Sequence, residues 1–458
     1  RTPTDWNNLQ PRGQLTWDVR GDGRDVLRAG AGRFVAQPHY YLQANSLFNS
    51  GTDLADLVLS GTAIPIPDYE AYRRDPSTVP GIPAGTAVPA YVNLTSPDFQ
   101  APSTWKGNLS YQRRFGERLT LAATALVAET RDNYHYLDRN LRADPAFTLD
   151  AEGGRPVFVP AATIDSRGRT SFRNARRTEE LTHALELVSV GRASQRAVIV
   201  EGGLQLPREA RVSASYTWNR TRDNTSFNCC IARSAPLLTP VQGDPRDLSG
   251  AWGPSDTDFR HKLVVHAALP TLLGFRVSGK YVGNTGRPFS LVVNGDINGD
   301  DYNGNDLAFL FDPDDPSTPA DVAASMRRLL DNPGNVAADY IRRNLGRVAG
   351  RNAVLAPWVW RVDARISRPV RTFGGQRAEL VVDVYNLANL LNPEWGGQYL
   401  LPGGISASNA VQQRLNLLNV VGFDPATRRY RYTVNENAGV LRKQGDPYQI
   451  QLGLRYSF

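Results

Sequence analysis

The sequence predicts an all-β chain built as an antiparallel transmembrane β-barrel. Three observations carry that expectation. Segments of about ten residues alternate apolar and polar side chains, the length and pattern of a tilted barrel strand. Their connections alternate between short turns and long inserts, as the two ends of a membrane barrel require. No apolar run approaches the roughly 18 residues that a membrane helix needs. A soluble sandwich also alternates apolar and polar faces, but it has no reason to sort its connections by length.

The strands come in pairs. Leu15, Trp17 and Val19 alternate with Gln14, Thr16, Asp18 and Arg20. GDGRD makes a turn, and a second strand runs over about 25–37, with Gly30 and Gly32 at a centre that can bend. Residues 38–101, rich in Pro, Ser and Thr, read as a long irregular insert that opens on Pro38, His39, Tyr40 and Tyr41. Next, Trp105, Gly107, Leu109 and Tyr111 alternate with Lys106, Asn108, Ser110 and Gln112. After FGER come Leu119, Leu121, Ala123, Ala125 and Val127. A second insert follows to about residue 180. Residues 181–190 read as strand but break the rhythm, so they are expected to extend beyond the membrane.

The third pair covers about 195–206 and 211–221, joined by PREA, with Val212, Ala214, Tyr216 and Trp218 on one face. In the fourth, Phe259, Leu263, Val265, Ala267 and Leu269 lead through PTLLG to Phe275, Val277, Gly279 and Tyr281. Trp358, Trp360, Val362, Ala364 and Ile366 then oppose Val359, Arg361, Asp363, Arg365 and Ser367. After FGGQ, Ala378, Leu380, Val382 and Val384 oppose Arg377, Glu379, Asp383 and Tyr385. In the closing stretch, Tyr448, Ile450, Leu452, Leu454, Tyr456 and Phe458 share a face against Gln449, Gln451, Gly453, Arg455 and Ser457. Aromatic residues at both ends of that face suit the two interface girdles of a barrel. The apolar faces are expected to meet lipid and the polar faces to line a wet lumen. Trp358 with Trp360 reads as part of an interface belt. The lumen charges Arg361, Asp363, Arg365, Arg377, Glu379 and Asp383 are expected to pair with one another or with a plug. The list holds about eleven strands. Bacterial single-chain barrels close with an even number, so the chain is expected to be the C-terminal part of a larger barrel.

Composition excludes other classes. Lys and Arg number 52 against 45 acidic residues, a formal charge of +7. The charges are dispersed and form no nucleic-acid motif, so no nucleic-acid partner is expected. Histidines 39, 135, 183, 261 and 266 show no HExxH or other ligand spacing, and no GxSxG occurs; no catalysed reaction is expected. His261 and His266 differ in parity and belong to opposite faces of one strand. The only cysteines, Cys229 and Cys230, are adjacent in an expected outer loop. They are open to a vicinal disulfide, to pairing with another chain, or to remaining thiols, and structural pairing within the loop is the expectation.

The sharpest local pattern is NGDINGDDYNGNDLAF, residues 294–309. Asp296, Asn298, Asp300, Asn303 and Asp306, with Asp301 and Asn305 between them, offer hard oxygen ligands at short spacing, which suits calcium. The pattern is not an EF-hand. Asp301 stands where that loop needs Gly, and Leu307 where it needs a bidentate Glu. A loop of Asx turns that binds nothing reads the same residues equally well. No other cofactor is expected.

Five segments in order, PRGQLTWDVRGDGRDVLRAGAGRF at 11–34, ASYTWNRTRDNTSFNCC at 214–230, DFRHKLVVHAALP at 258–270, DVYNLANLLNPEWGG at 383–397 and the terminal QIQLGLRYSF, resemble TonB-dependent outer-membrane receptors. The resemblance is to the Oar-like group, which carries a carboxypeptidase-regulatory-like domain near its N-terminus. It is spread over most of the chain and weak in the long inserts. It implies a barrel of about 22 strands plugged by an N-terminal domain, with residues 1–458 as its C-terminal portion and no plug within them. It also implies active uptake or passage of a large or scarce substrate, with the TonB complex engaged through the missing N-terminal region. Tyr456 and the terminal Phe458 look like the signal read by the barrel-assembly machinery. The implied partners are thus outer-membrane lipid, TonB and that machinery; the substrate stays unknown. An adhesion barrel that anchors large surface loops is the alternative.

Overall fold

The computed structural model describes residues 5–50, 67–78, 90–225, 231–371, 376–400 and 413–457. Eleven strands follow one another, each paired antiparallel with the next in chain order: β1 Arg12–Asp18, β2 Asp25–Val35, β3 Ser103–Phe115, β4 Leu119–Asp138, β5 Leu181–Gln205, β6 Arg211–Asp223, β7 His261–Ala268, β8 Arg276–Asn284, β9 Val359–Arg371, β10 Arg377–Tyr385 and β11 Gln449–Ser457. Among the described residues the first and last of these strands do not pair with each other. No helix among them is long and apolar enough to cross a membrane, which leaves a strand-built crossing untouched.

Register holds the two faces apart around the whole sheet. Trp17 lies opposite Leu27, then Tyr111, Ala123, Val200, Tyr216, Leu263, Gly283 and Trp360 on successive strands. The polar row beside it passes from Thr16 through Arg28, Ser110 and Thr124 to Ile199, Thr217 and Lys262. A slip of one residue at any pairing would exchange the faces. The large apolar side chains of the first face are exposed: Leu452 by 77%, Leu454 by 68% and Leu109 by 53%. Among the described residues no second sheet covers them, so the sandwich alternative fails, and lipid is the medium in which such a surface is stable.

The short connections are tight. In the first, the Asp18 carboxylate accepts the N–H groups of Gly21 at 3.0 Å and Gly23 at 2.7 Å. Both glycines have positive φ, +73° and +66°, which a side chain would resist.

The other end differs from the irregular loops that the sequence predicts. β4 and β5 run on past the sheet as a long hairpin. A register shift between Thr130 and Asn133, with Asp132 at φ +60°, marks where they leave it. Beyond that bulge Tyr136, Leu185 and Leu187 are buried. Strand Ala90–Thr95 pairs parallel to this extension, and Leu42 of helix Tyr40–Phe48 packs on it. The remaining inserts fold into a cap with a core of its own. Its four-stranded sheet runs in the order Val354–Leu355, Pro288–Asn294, Gln413–Asp424, Arg429–Val434, the middle pair parallel. Helix Ala320–Asp331 buries Val322, Met326, Leu329 and Leu330 on one side. Leu141, Phe158, Phe289, Ile297 and Leu417 join the same core from three separate inserts. Each fully buried side chain of this size contributes roughly 1.5–3 kcal/mol. The cap is therefore a folded body rather than a set of loose loops.

Candidate functional site

The polar face of the sheet carries matched charges. Arg365 on β9 donates to both oxygens of Asp383 on β10, at 2.6 and 2.8 Å. Arg361 stands 3.2 Å from Asp363. Glu379 lies between Arg276, 3.8 Å away, and Arg455, 3.9 Å away. Of the predicted lumen charges, Arg365 and Asp383 thus pair across neighbouring strands, Arg361 and Asp363 pair along one strand, and Glu379 takes Arg276 and Arg455 as partners. His266 and Lys280 face each other on the same wall, while His261 on the opposite face bonds the Tyr216 hydroxyl at 2.7 Å.

Two recesses lie along this wall and share Lys280. One, of about 350 Å³, is bounded by Arg211, His266, Asp363, Arg365 and Asp383. The other, of about 400 Å³, lies where the wall meets the inserts. Val282 and Arg361 line it from the strands; Arg287, Tyr399 and Asp446 line it from the inserts. Three cations against one carboxylate, with an aromatic ring beside them, suit an anionic ligand that carries some apolar surface. Trp360 stacks on Tyr281 with ring centres 6.2 Å apart, and Trp358 donates to the Tyr281 hydroxyl at 3.1 Å. This cluster at the insert end of the strands has the make-up of an interface belt.

The acidic loop lies deep in the cap rather than on its surface. Asp296 accepts the backbone N–H groups of Gly299, Asp300 and Asp301 and the Thr170 hydroxyl. Asp300 accepts from the Tyr302 N–H and from the side-chain amides of Asn298, at 3.2 Å, and Asn305, at 2.8 Å. Asp306 accepts from the Ile297 N–H at 3.0 Å. Asn298, Asn305 and Asp306 are wholly buried and Asp300 almost so. Burial raises all three carboxyls: Asp296 to about 6, Asp306 to about 7, and Asp300 well above its usual range, with the charges of Asp296 and Asp306 adding to it. Asn303, one of the predicted ligands, does not join them. It is exposed, and its side chain caps the Gly295 N–H at 2.7 Å. Asn305 takes its place. Among the described residues no three His, Cys, Asp or Glu side chains converge as a metal-ligand group.

Sequence spacing gave no hint of His183. On β5 beyond the bulge, its Nδ1 is 2.5 Å from Asp138 and its Nε2 is 3.0 Å from Asp301 of the acidic loop. Its ring stacks on Phe172 at 4.5 Å. His183 and its two polar partners lie far apart in sequence, which hides them from any motif. Among the other predicted positions, Tyr456 sits on the exposed apolar face of β11 with its hydroxyl on Gln376. Cys229, Cys230 and Phe458 lie outside the described residues.

A family model described as an outer membrane beta barrel domain matches residues 1–399. The chain belongs to that family. It is therefore an outer-membrane barrel, and the two faces traced above are its lipid and lumen surfaces. No curated protein matches it. Among solved structures, the outer membrane transporter YddB from Escherichia coli is 10% identical, with a TM-score of 0.46, covering 83% of this chain and 37% of that one. The FrpB iron transporter from Neisseria meningitidis is 8% identical with a TM-score of 0.39, covering 98% and 39%. BauA, the ferric preacinetobactin receptor from Acinetobacter baumannii, is 9% identical with a TM-score of 0.35, covering 98% and 36%. This outer-membrane barrel chain thus spans little more than a third of each.

Proposed function

We propose that this chain is the barrel portion of a TonB-dependent receptor of the Oar-like group, and that the whole protein carries a large or scarce substrate across the outer membrane. The observation behind this reading is the 400 Å³ recess, lined jointly by lumen residues Lys280 and Arg361 and by insert residues Arg287 and Asp446. A ligand caught by the inserts there already touches the lumen wall. Ion pairs such as Arg365 with Asp383 and Glu379 with Arg455 give that wall a polar lining. Sequence outside these residues would supply the plug and the TonB contact, and the barrel chain itself would catalyse no reaction.

The folded cap favours one rival, a barrel that anchors a surface body for adhesion. The two readings part in one experiment. The full-length protein, extracted from outer membranes in detergent, is mixed with the purified periplasmic domain of TonB. Transport expects a specific complex that is lost when the upstream plug region is deleted. A full-length protein with neither complex nor plug would leave the anchoring role.

A further inference from the structure

Towards the inserts, the lipid face ends in arginine. On β5 the outward positions Val200 and Val198 give way to Arg196; on β6 Tyr216 and Trp218 give way to Arg220 and then Arg222. Arg196 and Arg220 are direct partners in the register of the two strands. Partners in an antiparallel pair stand about 5 Å apart at Cβ, and like charges placed so repel. Ser194 and Arg222 form the next outward pair, which sets Arg222 diagonal to Arg196 on the same face. Arg196 and Arg220 are exposed, and among the described residues neither side chain makes an ion pair or a hydrogen bond. The acid that the register brings beside them, Glu129, accepts instead from the Ser194 hydroxyl at 2.7 Å.

A second observation sets the height of this row. Arg222 lies over the partly exposed Trp252 ring, 5.4 Å from its centre, and donates to the Trp252 carbonyl at 3.3 Å. That contact holds the guanidinium without neutralising it. Trp218 stands one outward step below Arg220, opposite His261. Tryptophan gathers where acyl chains give way to headgroups. The long connections leave the strands at this end, which is the outer one in such barrels. The arginines therefore stand at the headgroups of the outer leaflet, with their stems on apolar surface and their charged ends among polar groups.

We propose that Arg196, Arg220 and Arg222 form a docking site for a lipid of the outer leaflet whose headgroup carries a phosphomonoester. Such a phosphate holds about −1.5 to −2 charges near pH 7, and guanidinium groups grip it through paired N–H donors. Seated between Arg196 and Arg220, it turns their repulsion into a shared attraction. Val198 and Trp218 below give the acyl chains an apolar bed. A zwitterionic headgroup brings no net charge to balance the three cations. The proposal does not depend on what the barrel transports.

The test uses the full-length protein, delipidated in detergent and titrated with lipid A while bound lipid is counted by native mass spectrometry. The same lipid with its phosphates removed runs in parallel, and inorganic phosphate serves as a competitor. The parent is expected to bind lipid A about tenfold or more tightly than the dephosphorylated lipid, a factor that one charge-assisted hydrogen bond supplies. The double variant Arg196→Gln, Arg220→Gln is expected to lose about that factor. Arg368→Gln, on the same face at the short-turn end and over the Phe275 ring, is expected to bind as the parent does. Stability gives a reading of opposite sign in two membranes. In phosphatidylcholine vesicles the double variant should unfold no sooner than the parent, since opposed like charges are gone; with lipid A present the parent should outlast it. Equal binding of both lipids by the parent overturns the proposal, as does parent-like binding by the folded double variant. Displacement of lipid A by equimolar inorganic phosphate marks a site for free anions and overturns it too. Should the double variant fail to fold, Arg222→Gln decides: weaker lipid A binding supports the site, and unchanged binding overturns it.

Discussion

Asp301 Oδ2 stands 3.0 Å from His183 Nε2, and the two residues come from opposite sides of the joint between barrel and cap. His183 belongs to the β5 extension, Asp301 to the buried loop of the cap. With Asp138 at 2.5 Å on Nδ1, both ring nitrogens face carboxylates and both must donate. That is the charged imidazolium. Arg233 adds a second cation to Asp301 at 3.0 Å.

The pH dependence of this joint follows. Burial pulls the His183 pKa down, but the hydrogen bonds and charges of Asp138 and Asp301 more than offset it, and the pKa ends above its ordinary 6.5. Tyr91, Phe172 and Tyr302 complete the surroundings as rings, with Arg176 and Arg233 as the nearby cations. A raised histidine pKa contributes stability that is fully present below the unfolded value and lost as pH rises through the folded one. Asp301 is lowered from 3.8 by His183 and Arg233 against the opposing effect of burial, so its share is lost only as pH falls through its own folded pKa. Amide exchange at residues 134–138 and 185–189 is therefore expected to be slowest in mildly acidic solution and to quicken on the alkaline side. A profile that slows with rising pH, after correction for intrinsic exchange, contradicts the joint.

Asp301 holds φ at +78°, a conformation natural to glycine. Relief of that backbone alone would make Asp301→Gly stabilising by about 1 kcal/mol. The expected outcome has the opposite sign. The variant loses its bonds to His183 and Arg233, and the joint weakens by about 1 kcal/mol net, a modest figure because the carboxylate is partly exposed. Hydrogen exchange of the same hairpin measures it, and a more protected variant would show that the side chain contributes little.

The cap should unfold apart from the barrel. Leu329 is wholly buried in the cap core, and Leu329→Ala is expected to cost about 2–5 kcal/mol there. Protection is expected to fall in Ala320–Asp331 and Gln413–Asp424 while the strands β1 to β11 keep theirs and the barrel keeps its heat-modifiable migration on gels. Equal loss in both regions would mean a single cooperative unit.

Lipid and lumen faces should differ in tolerance. Leu452 and Gln451 are neighbours on β11 with opposite parity. Leu452→Arg is expected to cost about 2–4 kcal/mol where it meets the bilayer midplane, and Gln451→Arg close to nothing in a wet lumen. Urea unfolding in liposomes gives both values. Equal costs would count against the assignment of faces.

Much of the barrel was legible because its signal is local. Each strand declares its own faces, and Trp17, Leu109, Leu263 and Leu452 fall on the outer one as alternation requires. The hairpin of 181–190 was also readable as an extension, although its bulge at Asn133 was not. The cap was hidden for a different reason. Its core draws Leu141, Phe289 and Leu417 from three inserts, and no window of sequence holds two of them together. Helix Ala320–Asp331 is the exception, since Val322, Met326 and Leu329 stand at helical spacing. In the acidic loop, spacing marked Asp296, Asn298, Asp300, Asn303 and Asp306, but the fold hydrogen-bonds Asn298 and Asn305 to Asp300 and turns Asn303 outward onto the Gly295 N–H, an arrangement that spacing does not reveal. His183 was invisible because its partners lie in distant segments.

The central claim is that alternate side chains of one strand meet lipid and water. A single-cysteine scan of 449–455, in a Cys229→Ser, Cys230→Ser background reconstituted in liposomes, tests it most directly. Each site carries a fluorophore and is exposed in turn to a water-soluble quencher and to brominated lipid. Ile450→Cys, Leu452→Cys and Leu454→Cys are expected to be quenched by lipid, and Gln449→Cys, Gln451→Cys, Gly453→Cys and Arg455→Cys by the aqueous agent. Quenching that does not alternate, or Leu452→Cys shielded from both, would contradict a membrane barrel.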